Sequence, residues 1–433
     1  MTHHFLVVHP TLAQKAEALK GTRTRRSPAP RSGGRGDVRV RARTAVVQSI
    51  TAQEVTRSVP HSVECLLWGR AAGRCEFGGC NQPLWKSRVT QEQVNIAEKA
   101  HIYSFSGGGP RGNTGLSGAD LHNLSNLMLV CHACHRKIDR KHDGGRYTVS
   151  LLQEMKEAHE RRIELVSAIA PEKSSQVLFY GANIGDHSSP LNYFAAASAL
   201  FPGRYPAADR AIELSVHNSS FCDRDAAFWQ HEAFELRRKF ERQVRLQIAE
   251  GGVQHLSVFA IAPQPLLILL GSLLGDIVPS DVYQRHREPA TWKWPPESET
   301  QPFRLLRPAS VDGEPALVFG VSATISVERI HRVLGENASV WSIGVSAPHN
   351  DVVKTSRQKA EFRALVRTAL DQIKAAHGQT EVLHVFPAMP VSLAVEFGRV
   401  RMPKADMPWL LYDQVNAQGG FIRALTIPEG EEQ

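Results

Sequence analysis

Hydrophobic and polar positions change their spacing along the chain near residue 170. Before that point, the apolar runs Val94–Ile102 and Asn126–Cys131 are typical of strands, and Val149–Ile163 repeats apolar residues at helical spacing. After the polar segment Ala170–Ser175, apolar strand-like runs alternate with amphipathic helices. Such alternation favours parallel sheets with helices between the strands. The pattern predicts a small α+β unit followed by a larger α/β unit.

The larger unit carries an internal repeat. His255–Pro263 aligns with Val382–Pro390 at an offset of 127 residues, and each copy predicts a buried strand, a proline turn and a helix. An amphipathic helix precedes each strand, at Phe234–Ala249 and at Gln358–Ala375. The positions that are identical in both copies include Leu256/Leu383, Val258/Val385, Phe259/Phe386, Pro263/Pro390, Leu266/Leu393 and Gly271/Gly398.

The repeat predicts two Rossmann-like halves, residues 179–300 and 301–433, arranged as a pseudo-dimer. Strand-like runs ahead of the two helices, Ile212–Val216 and Val340–Val345, give each half the same strand–helix–strand order. Ligands commonly bind at the carboxyl ends of parallel strands and where two such units meet. We therefore expect a ligand site near the contact between the halves.

The net charge of +8 is unevenly distributed. The first 45 residues contain ten Lys or Arg and two acidic residues, whereas residues 171–433 contain 26 basic and 29 acidic ones. Residues 1–50 are predicted to be a basic, disordered extension, and the overall charge does not by itself indicate a DNA-binding surface. No apolar run reaches the roughly eighteen residues of a membrane span, and the N-terminus lacks a signal-peptide pattern. We expect a cytoplasmic protein without a membrane partner.

Four of the six cysteines form two closely spaced pairs. Cys75 and Cys80 flank a Gly-Gly turn, and Cys131 and Cys134 are separated by two residues. Two such turns are typical of a tetrahedral zinc site, and a closed shell of four thiolates leaves no position for substrate. The spacing therefore predicts a structural Zn²⁺ that braces the segment between the pairs.

That segment places a histidine at the end of its first strand, an asparagine at the start of its second, and a histidine in the following helix. The stretch Ala100-His101-Ile102, then Asn126-Leu127 and Cys131 to His135, resembles the HNH (ββα-metal) nucleases. The resemblance implies that His101 is the general base, which takes a proton from the attacking water. It implies that Asn126 holds the loop so that His101 points inward, and that His135 binds a catalytic divalent ion, Mg²⁺ or another.

One position departs from the HNH pattern. Many members have Asp before the general base as a second metal ligand, whereas this chain has Ala100. Asp120 or His122 could supply the missing ligand, and so could water; His132 is expected to face away from the site. The four basic residues Arg136, Lys137, Arg140 and Lys141 on and beyond the catalytic helix are candidate contacts to the DNA backbone.

The whole chain resembles the HNH–SAVED effectors of bacterial cyclic-oligonucleotide antiphage defence (CBASS), on Phe179–Gly185, Phe259–Pro263 and Phe386–Pro390. This resemblance implies a zinc-braced HNH domain at 51–168, a linker at 169–178 and a duplicated, CARF-like α/β SAVED domain at 179–433. A cyclic dinucleotide would bind the SAVED domain and drive assembly from a homo-oligomer such as a dimer to a tetramer. The assembled HNH modules would then degrade double-stranded DNA in abortive infection.

A cyclic dinucleotide requires cations or amides for its phosphates and flat faces for its bases. The candidates that lie in loops or near predicted strand ends are Asn183, Arg285, Trp292, Trp294, Lys354 and Arg357.

Two alternatives compete with this hypothesis. A restriction-type HNH endonuclease would read DNA with its C-terminal half, but the acidic balance of residues 171–433 disfavours a DNA reader. The second alternative is a non-catalytic zinc ribbon that binds nucleic acid. Binding alone does not require histidines at the His101 and His135 positions of the HNH motif, so their presence disfavours this alternative.

Overall fold

A computed structural model describes residues 58–112, 115–140, 145–185, 187, 191–216, 221–296, 299–415 and 420–427. The predicted basic extension at 1–50 and the candidate DNA contact Lys141 lie outside these residues. The elements of the N-terminal unit are α1 (His61–Ala71), β1 (Ala97–His101), α2 (Gly118–Leu121), β2 (Leu127–Cys131), α3 (His132–Ile138) and α4 (Val149–Ser167).

The N-terminal unit is built on an antiparallel hairpin of β1 and β2, with Ala97 opposite Cys131 and His101 opposite Leu127. β2 is buried along its whole length, and α1 contacts both β2 and α4. An ion-pair network joins the two longer helices, because Glu160 of α4 binds Lys156 at 2.5 Å and Arg70 of α1 at 3.4 Å. The strand–loop–strand–helix order predicted from the sequence is present.

Two boundaries differ from the sequence-based expectation. β1 begins at Ala97 rather than Val94, because the amides of Val94 and Ile96 bond to the carbonyls of Trp85 and Leu84 instead of to β2. α3 begins at His132 rather than near His135, because the Cys131 side chain accepts the Cys134 amide and caps the helix.

The C-terminal unit contains two groups of strands and helices. The first group has β3 (Ser174–Gly181), α5 (Tyr193–Leu200), β4 (Tyr205–Pro206), β5 (Ile212–Glu213), α6 (Ala226–Phe240), α7 (Leu246–Ala249), β6 (Leu256–Ile261), α8 (Gln264–Leu274) and β7 (Ser280–Val282). The second has β8 (Arg304–Leu306), β9 (Pro315–Gly320), α9 (Val327–Leu334), β10 (Ser339–Gly344), α10 (Ser356–His377), β11 (Leu383–Phe386), α11 (Val391–Val400), β12 (Trp409–Val415) and β13 (Gly420–Ile427).

The two groups form sheets with the same parallel centre. In the first sheet β3 pairs with β6 and β6 with β7, and the short strands β4 and β5 lie along β3, all parallel. In the second sheet β10, β9, β11 and β12 are parallel, and β8 and β13 are antiparallel at the two edges. The predicted duplication into two α/β halves is therefore present in the fold.

Two elements of the first half deviate from the predicted pattern. β5 ends at Glu213 instead of reaching Val216, because the Ser215 hydroxyl, rather than a backbone carbonyl, accepts the Gly181 amide at 2.7 Å. The helix predicted at Phe234–Ala249 starts earlier, at Ala226, and a π-helical turn at Glu241–Arg245 joins α6 to α7.

The halves meet where α8 crosses α11 at a pair of glycines. A Cβ atom added to Gly271 would lie 2.0 Å from the Val395 carbonyl oxygen and 2.9 Å from Gly398 Cα. A Cβ atom added to Gly398 would lie 2.0 Å from the Ile268 carbonyl oxygen. The glycine pair that is identical in both sequence repeats thus allows the two helix backbones to touch.

We expect Gly398→Ala to destabilise the C-terminal unit by about 3 kcal/mol, because the backbones must separate to admit the methyl group. Thermal unfolding of the variant would measure the loss. Gly69→Ala is the matched control, since Gly69 lies in α1 where an added Cβ meets nothing within 4 Å. That control should raise stability by roughly 0.5–1 kcal/mol through helix propensity. Equal melting temperatures for wild type and Gly398→Ala would contradict the close crossing.

Candidate functional site

Four cysteines meet beside β2. The Sγ atoms of Cys75, Cys80, Cys131 and Cys134 lie within 4.8 Å of one another, and no other group of three or more ligating side chains in the described part of the chain does so. The Cys131 amide donates to Cys75 Sγ at 3.3 Å, and the Cys134 amide donates to Cys131 Sγ at 3.5 Å. Amide donors and the N-terminus of α3 favour thiolates at this position.

The protonation of this cluster depends on a cation. Burial raises the pKa of the Cys75 thiol to about 12, and burial also raises the pKa of the Cys134 thiol. At neutral pH these thiols keep their protons, unless a metal cation binds the sulfur atoms and displaces the protons. Four sulfur ligands suit Zn²⁺ and not Mg²⁺, which requires oxygen ligands. The cluster therefore fits the structural zinc predicted from the cysteine spacing.

Asn126 holds the turn that follows His101. His101 is the last residue of β1, and Asn126 directly precedes β2. The buried Asn126 side chain accepts the Tyr103 amide at 2.7 Å and donates to the Leu121 carbonyl oxygen at 3.0 Å. These bonds tie both the residues after His101 and the end of α2 to the start of β2.

The two residues considered as extra metal ligands, one in α2 and one directly after it, occupy different places. The His122 ring lies 5.8 Å from the His101 ring between centroids, and Phe105 packs against both rings. The Asp120 carboxylate instead accepts the Ser117 hydroxyl at 2.6 Å and the Ser117 amide at 3.1 Å. Hydrogen bonding from Ser117 lowers the pKa of Asp120, which belongs to the capping box of α2. Of the two, His122 is thus the residue that reaches His101.

Glu98 is a site residue that the sequence reasoning did not select. Its carboxylate contacts His132 Nδ1 with one oxygen and lies 2.5 Å from His135 Nδ1 with the other. The hydrogen bond from His132, and then that from His135, lowers the pKa of Glu98, so that Glu98 is ionised at neutral pH. The expectation that His132 faces away from the site is wrong, because the His132 ring, on the first residue of α3, contacts Glu98 of β1.

The alternation of β1 was the signal that could have indicated Glu98. Glu98 and Ala100 are two residues apart, so they share one face of the strand. Glu98 therefore places a carboxylate on the same face of β1 as Ala100, the position at which the HNH pattern predicted an Asp. Ala100 itself is 1% exposed and belongs to the hydrophobic core. Packing therefore accounts for a small apolar residue at this position.

His135 is flanked by two carboxylates. Besides Glu98 at its Nδ1, it has Asp139 Oδ2 at 3.4 Å from its Nε2. Carboxylate and water ligands suit Mg²⁺ or Mn²⁺, whereas imidazole suits the later transition metals, and Mg²⁺ commonly keeps several waters and binds substrate phosphate. Since these groups do not close into a tight cluster, Glu98 and His135 would hold a divalent ion together with water and substrate.

The basic residues on α3 and directly after it are exposed to solvent. Arg136, Lys137 and Arg140 are all exposed, and Lys137 Nζ lies 5.9 Å from the centroid of the Phe77 ring. Exposed guanidinium and ammonium groups at this place can contact phosphate oxygens without remodelling the core.

In the C-terminal unit, Trp292 is part of the core. It is 4% exposed and packs edge-on against Phe259, with ring centroids 5.1 Å apart. The expectation of an exposed ring that stacks on a nucleotide base is therefore wrong for Trp292. The backbone bridge between His286 and Thr291 folds this loop back on itself and turns the indole inward. Arg285 covers the same indole, with its guanidinium carbon 5.6 Å from the ring centroid.

The loop after β7 meets the loop before α10, and we call this contact between residues 282–294 and 351–359 the seam. The Arg287 amide donates to both Asp351 carboxylate oxygens at 3.1 Å, and Lys359 Nζ donates to the Val282 carbonyl oxygen. Lys359 Nζ also lies 5.3 Å from the centroid of the half-buried Trp294 ring. The seam therefore joins the carboxyl edges of the two sheets.

His286 is buried in the seam. It is 3% exposed, and neither ring nitrogen has a hydrogen-bond partner among the described residues. Its ring packs edge-on against Trp294, with centroids 5.6 Å apart. Burial lowers the pKa of His286, an effect that Asp351 opposes and Lys354 supports. A neutral imidazole offers one donor and one acceptor to a group that enters the seam.

The remaining candidate ligand residues have local contacts. Asn183 donates to the Phe221 carbonyl oxygen at 3.1 Å in the loop after β3. Arg357 pairs with Glu361 at 2.9 Å on the exposed face of α10. The Lys354 amide donates to the Gln358 side chain at 2.7 Å, which completes the start of α10.

Comparison with protein families assigns the second part of the chain. Residues 236–427 match the family described as the SMODS-associated and fused to various effectors sensor domain, abbreviated SAVED. This segment is therefore a SAVED sensor domain, which confirms that part of the resemblance. A comparison with curated proteins finds no match. No helix within the described residues has the length and apolar character needed to cross a membrane.

Solved structures similar to this chain include two of the Acinetobacter baumannii Cap4 SAVED/CARF-domain containing receptor. With the cyclic trinucleotide 2'3'3'-cAAA, that receptor is 12% identical, at a TM-score of 0.40 over 68% of this chain and 62% of the receptor. With 3'3'3'-cAAA the values are 11%, 0.38, 68% and 61%. The Moraxella osloensis Cap4 receptor is 14% identical, at a TM-score of 0.35 over 64% and 54%. The chain thus spans less than two thirds of these receptors, and the domain assignment depends on the family match.

Proposed function

We propose that the chain is a metal-dependent HNH endonuclease that a cyclic dinucleotide activates and that degrades double-stranded DNA in bacterial antiphage defence. The observation that carries the proposal is the combination within one chain of a cysteine-braced ββα unit and a SAVED sensor domain. In this proposal, the ββα unit contributes His101, Glu98 and His135 to the hydrolysis of a phosphodiester.

Different residues of the ββα unit carry out different parts of the hydrolysis. His101 takes the proton of the attacking water, and Asn126 keeps the His101 turn in place. Glu98 and His135 hold the divalent ion, which when bound polarises the phosphate and stabilises the leaving 3′ oxygen. Arg136, Lys137 and Arg140 bind backbone phosphates and so position the strand without reading its sequence.

The SAVED domain keeps the nuclease silent. A ligand that binds better to the assembled than to the dispersed state shifts the population toward assembly. We therefore propose that the cyclic dinucleotide converts a smaller homo-oligomer into a larger one, in which paired HNH modules cut both strands. The SAVED match over residues 236–427 also argues against the alternative of a C-terminal DNA-reading domain.

The seam is the proposed contact region for the cyclic dinucleotide. Arg285 and Lys354 supply cations for phosphate, the Trp294 ring supplies a flat face, and buried His286 supplies a donor and an acceptor. Asn183, in the loop after β3, and Arg357, on the exposed face of α10, stay as further candidates. Both loops of the seam follow carboxyl ends of parallel strands, where α/β folds bind ligands.

The purified full chain, plasmid DNA and Mg²⁺ test the proposal, with and without a panel of cyclic dinucleotides and trinucleotides. We expect cleavage and a larger particle by light scattering only when the activating nucleotide is present. Cleavage without any nucleotide would contradict sensing, and no cleavage with any member of the panel would contradict the nuclease assignment. Activation by trinucleotides alone would correct the ligand class.

In the same assay, Lys354→Ala and Trp294→Ala should each raise the activating nucleotide concentration about tenfold, since a charged hydrogen bond or a base stack contributes roughly 1–3 kcal/mol. Maximal cleavage at saturating nucleotide should stay at the wild-type level. Lys404→Ala, at an exposed lysine outside the seam, is the matched control. Unchanged activation midpoints in both seam variants would place the ligand elsewhere.

A further inference from the structure

The glycine-rich loop between β1 and α2 folds tightly around Ser104. The Ser104 amide donates to the Arg111 carbonyl oxygen at 3.0 Å, and the Arg111 amide donates to Ser104 Oγ at 3.1 Å. A Cβ atom added to Gly109 would lie 2.4 Å from Ser104 Cβ, and one added to Gly112 would lie 2.9 Å from the Gly107 carbonyl oxygen. Close contacts within the loop therefore require glycine at these two positions, and the tight loop brings Arg111 inward.

The Arg111 guanidinium is buried and makes four hydrogen bonds, with a side chain that is 5% exposed. Toward β1 it donates to the Ile102 carbonyl oxygen at 2.6 Å and to the His101 carbonyl oxygen at 3.2 Å. Toward α3 it donates to the Ile138 carbonyl oxygen at 2.7 Å and to Asp139 Oδ1 at 3.1 Å. A single cation thus joins the end of β1 to the end of α3.

This arrangement connects the two histidines of the site. Arg111 binds His101 directly, through the His101 carbonyl oxygen. Arg111 acts on His135 through Asp139, whose second carboxylate oxygen lies 3.4 Å from His135 Nε2. A cation at the C-terminus of α3 also complements the negative end of the helix. Only the planar fork of arginine can serve acceptors in these several directions at once, because the lysine ammonium is a compact point charge.

We propose that Arg111 is a positioning residue of the nuclease site, which sets the geometry between His101 and the ion held at His135. This inference rests on the proposed nuclease function. Arg111 does not contact substrate; it acts through the backbone of His101 and through Asp139.

The test compares Arg111→Lys and Arg111→Ala with wild type in the full chain, under the conditions that activate cleavage. We expect Arg111→Lys to lower kcat about 100-fold with KM for DNA nearly unchanged, because small misplacements of reacting groups have effects of about this size. Guanidinium chloride at millimolar concentration should restore part of the activity of Arg111→Ala but not of wild type. Arg146→Lys and Arg146→Ala, at an exposed arginine of the same unit, are the matched controls.

A second readout is independent of cleavage. Mn²⁺ affinity, measured by electron paramagnetic resonance without DNA or nucleotide, should fall several-fold in Arg111→Lys, while zinc content and melting temperature stay near wild type. Wild-type kcat and Mn²⁺ affinity in both variants would overturn the proposal. Loss of zinc or of the folded state in Arg111→Lys would also overturn it, in favour of a purely structural role. If wild type itself does not cut DNA, the proposed function fails, and the Mn²⁺ affinity alone decides on Arg111.

Discussion

Replacement of His101 by alanine is expected to reduce the cleavage of DNA by the activated protein about 1000-fold, within the range seen when a general base is lost. An imidazole can take a proton from water near neutral pH, because the unperturbed histidine side chain has a pKa of about 6.5. The His101 ring lies at the end of β1 against Phe105 and His122, and the His101 backbone pairs with Leu127 in the hairpin.

Single-turnover cleavage under nucleotide-activated conditions measures this effect. His61→Ala is the matched control, because His61 is an exposed histidine of α1 in the same unit. Zinc content and nucleotide-induced assembly should be unchanged in His101→Ala, which separates lost chemistry from lost structure. Cleavage by His101→Ala within tenfold of wild type would remove His101 as the base.

Removal of zinc is expected to unfold the ββα unit while the SAVED domain stays folded. The buried thiols of Cys75 and Cys134 have raised pKa values, so the ion supplies the charge that the cluster needs. Structural zinc contributes on the order of 10 kcal/mol to the folding of small zinc-binding units. Loss of the ion would release the hairpin and α3, and with them Glu98, His101 and His135.

Elemental analysis should find one zinc per chain in the wild type, and Cys131→Ser should lose it. Hydrogen–deuterium exchange should then rise throughout residues 75–140 and stay unchanged in residues 236–427. Cys65→Ser is the matched control, since Cys65 is exposed and outside the cluster. Wild-type protein without zinc, or a Cys131→Ser protein with wild-type exchange, would contradict the structural role of the metal.

Some features of this fold follow from local spacing, and the sequence predicted them well. The cysteine pairs, the strands around His101 and Asn126, and the helix that follows depend on neighbours within a few residues. The duplication also follows from the sequence, because the two copies repeat the same order of strand, turn and helix. Even Gly271 and Gly398 are visible as an identical pair, although only the crossing of α8 and α11 explains why glycine is required there.

Other features depend on side chains that are distant in the sequence. The residues around Trp292 in the sequence do not indicate whether its indole is buried or exposed. Its packing against Phe259, which is distant in the sequence, makes it a core residue. Asp120 and His122 are polar residues two positions apart at α2, yet the capping box uses Asp120 and the fold places His122 beside His101. Sequence spacing could not rank them.

The sequence by itself determined that four thiols, two histidines and an asparagine occupy a strand–loop–strand–helix order, and that a duplicated α/β unit follows. The reason is that periodicity and ligand spacing are local properties of the chain. The tertiary structure decided which groups surround His135, since Glu98 comes from β1 and is 37 residues away in the sequence from His135 in α3. It also decided that Arg111 joins β1 to α3, because a loop rich in glycine can place a buried guanidinium among carbonyls that are far apart in the sequence.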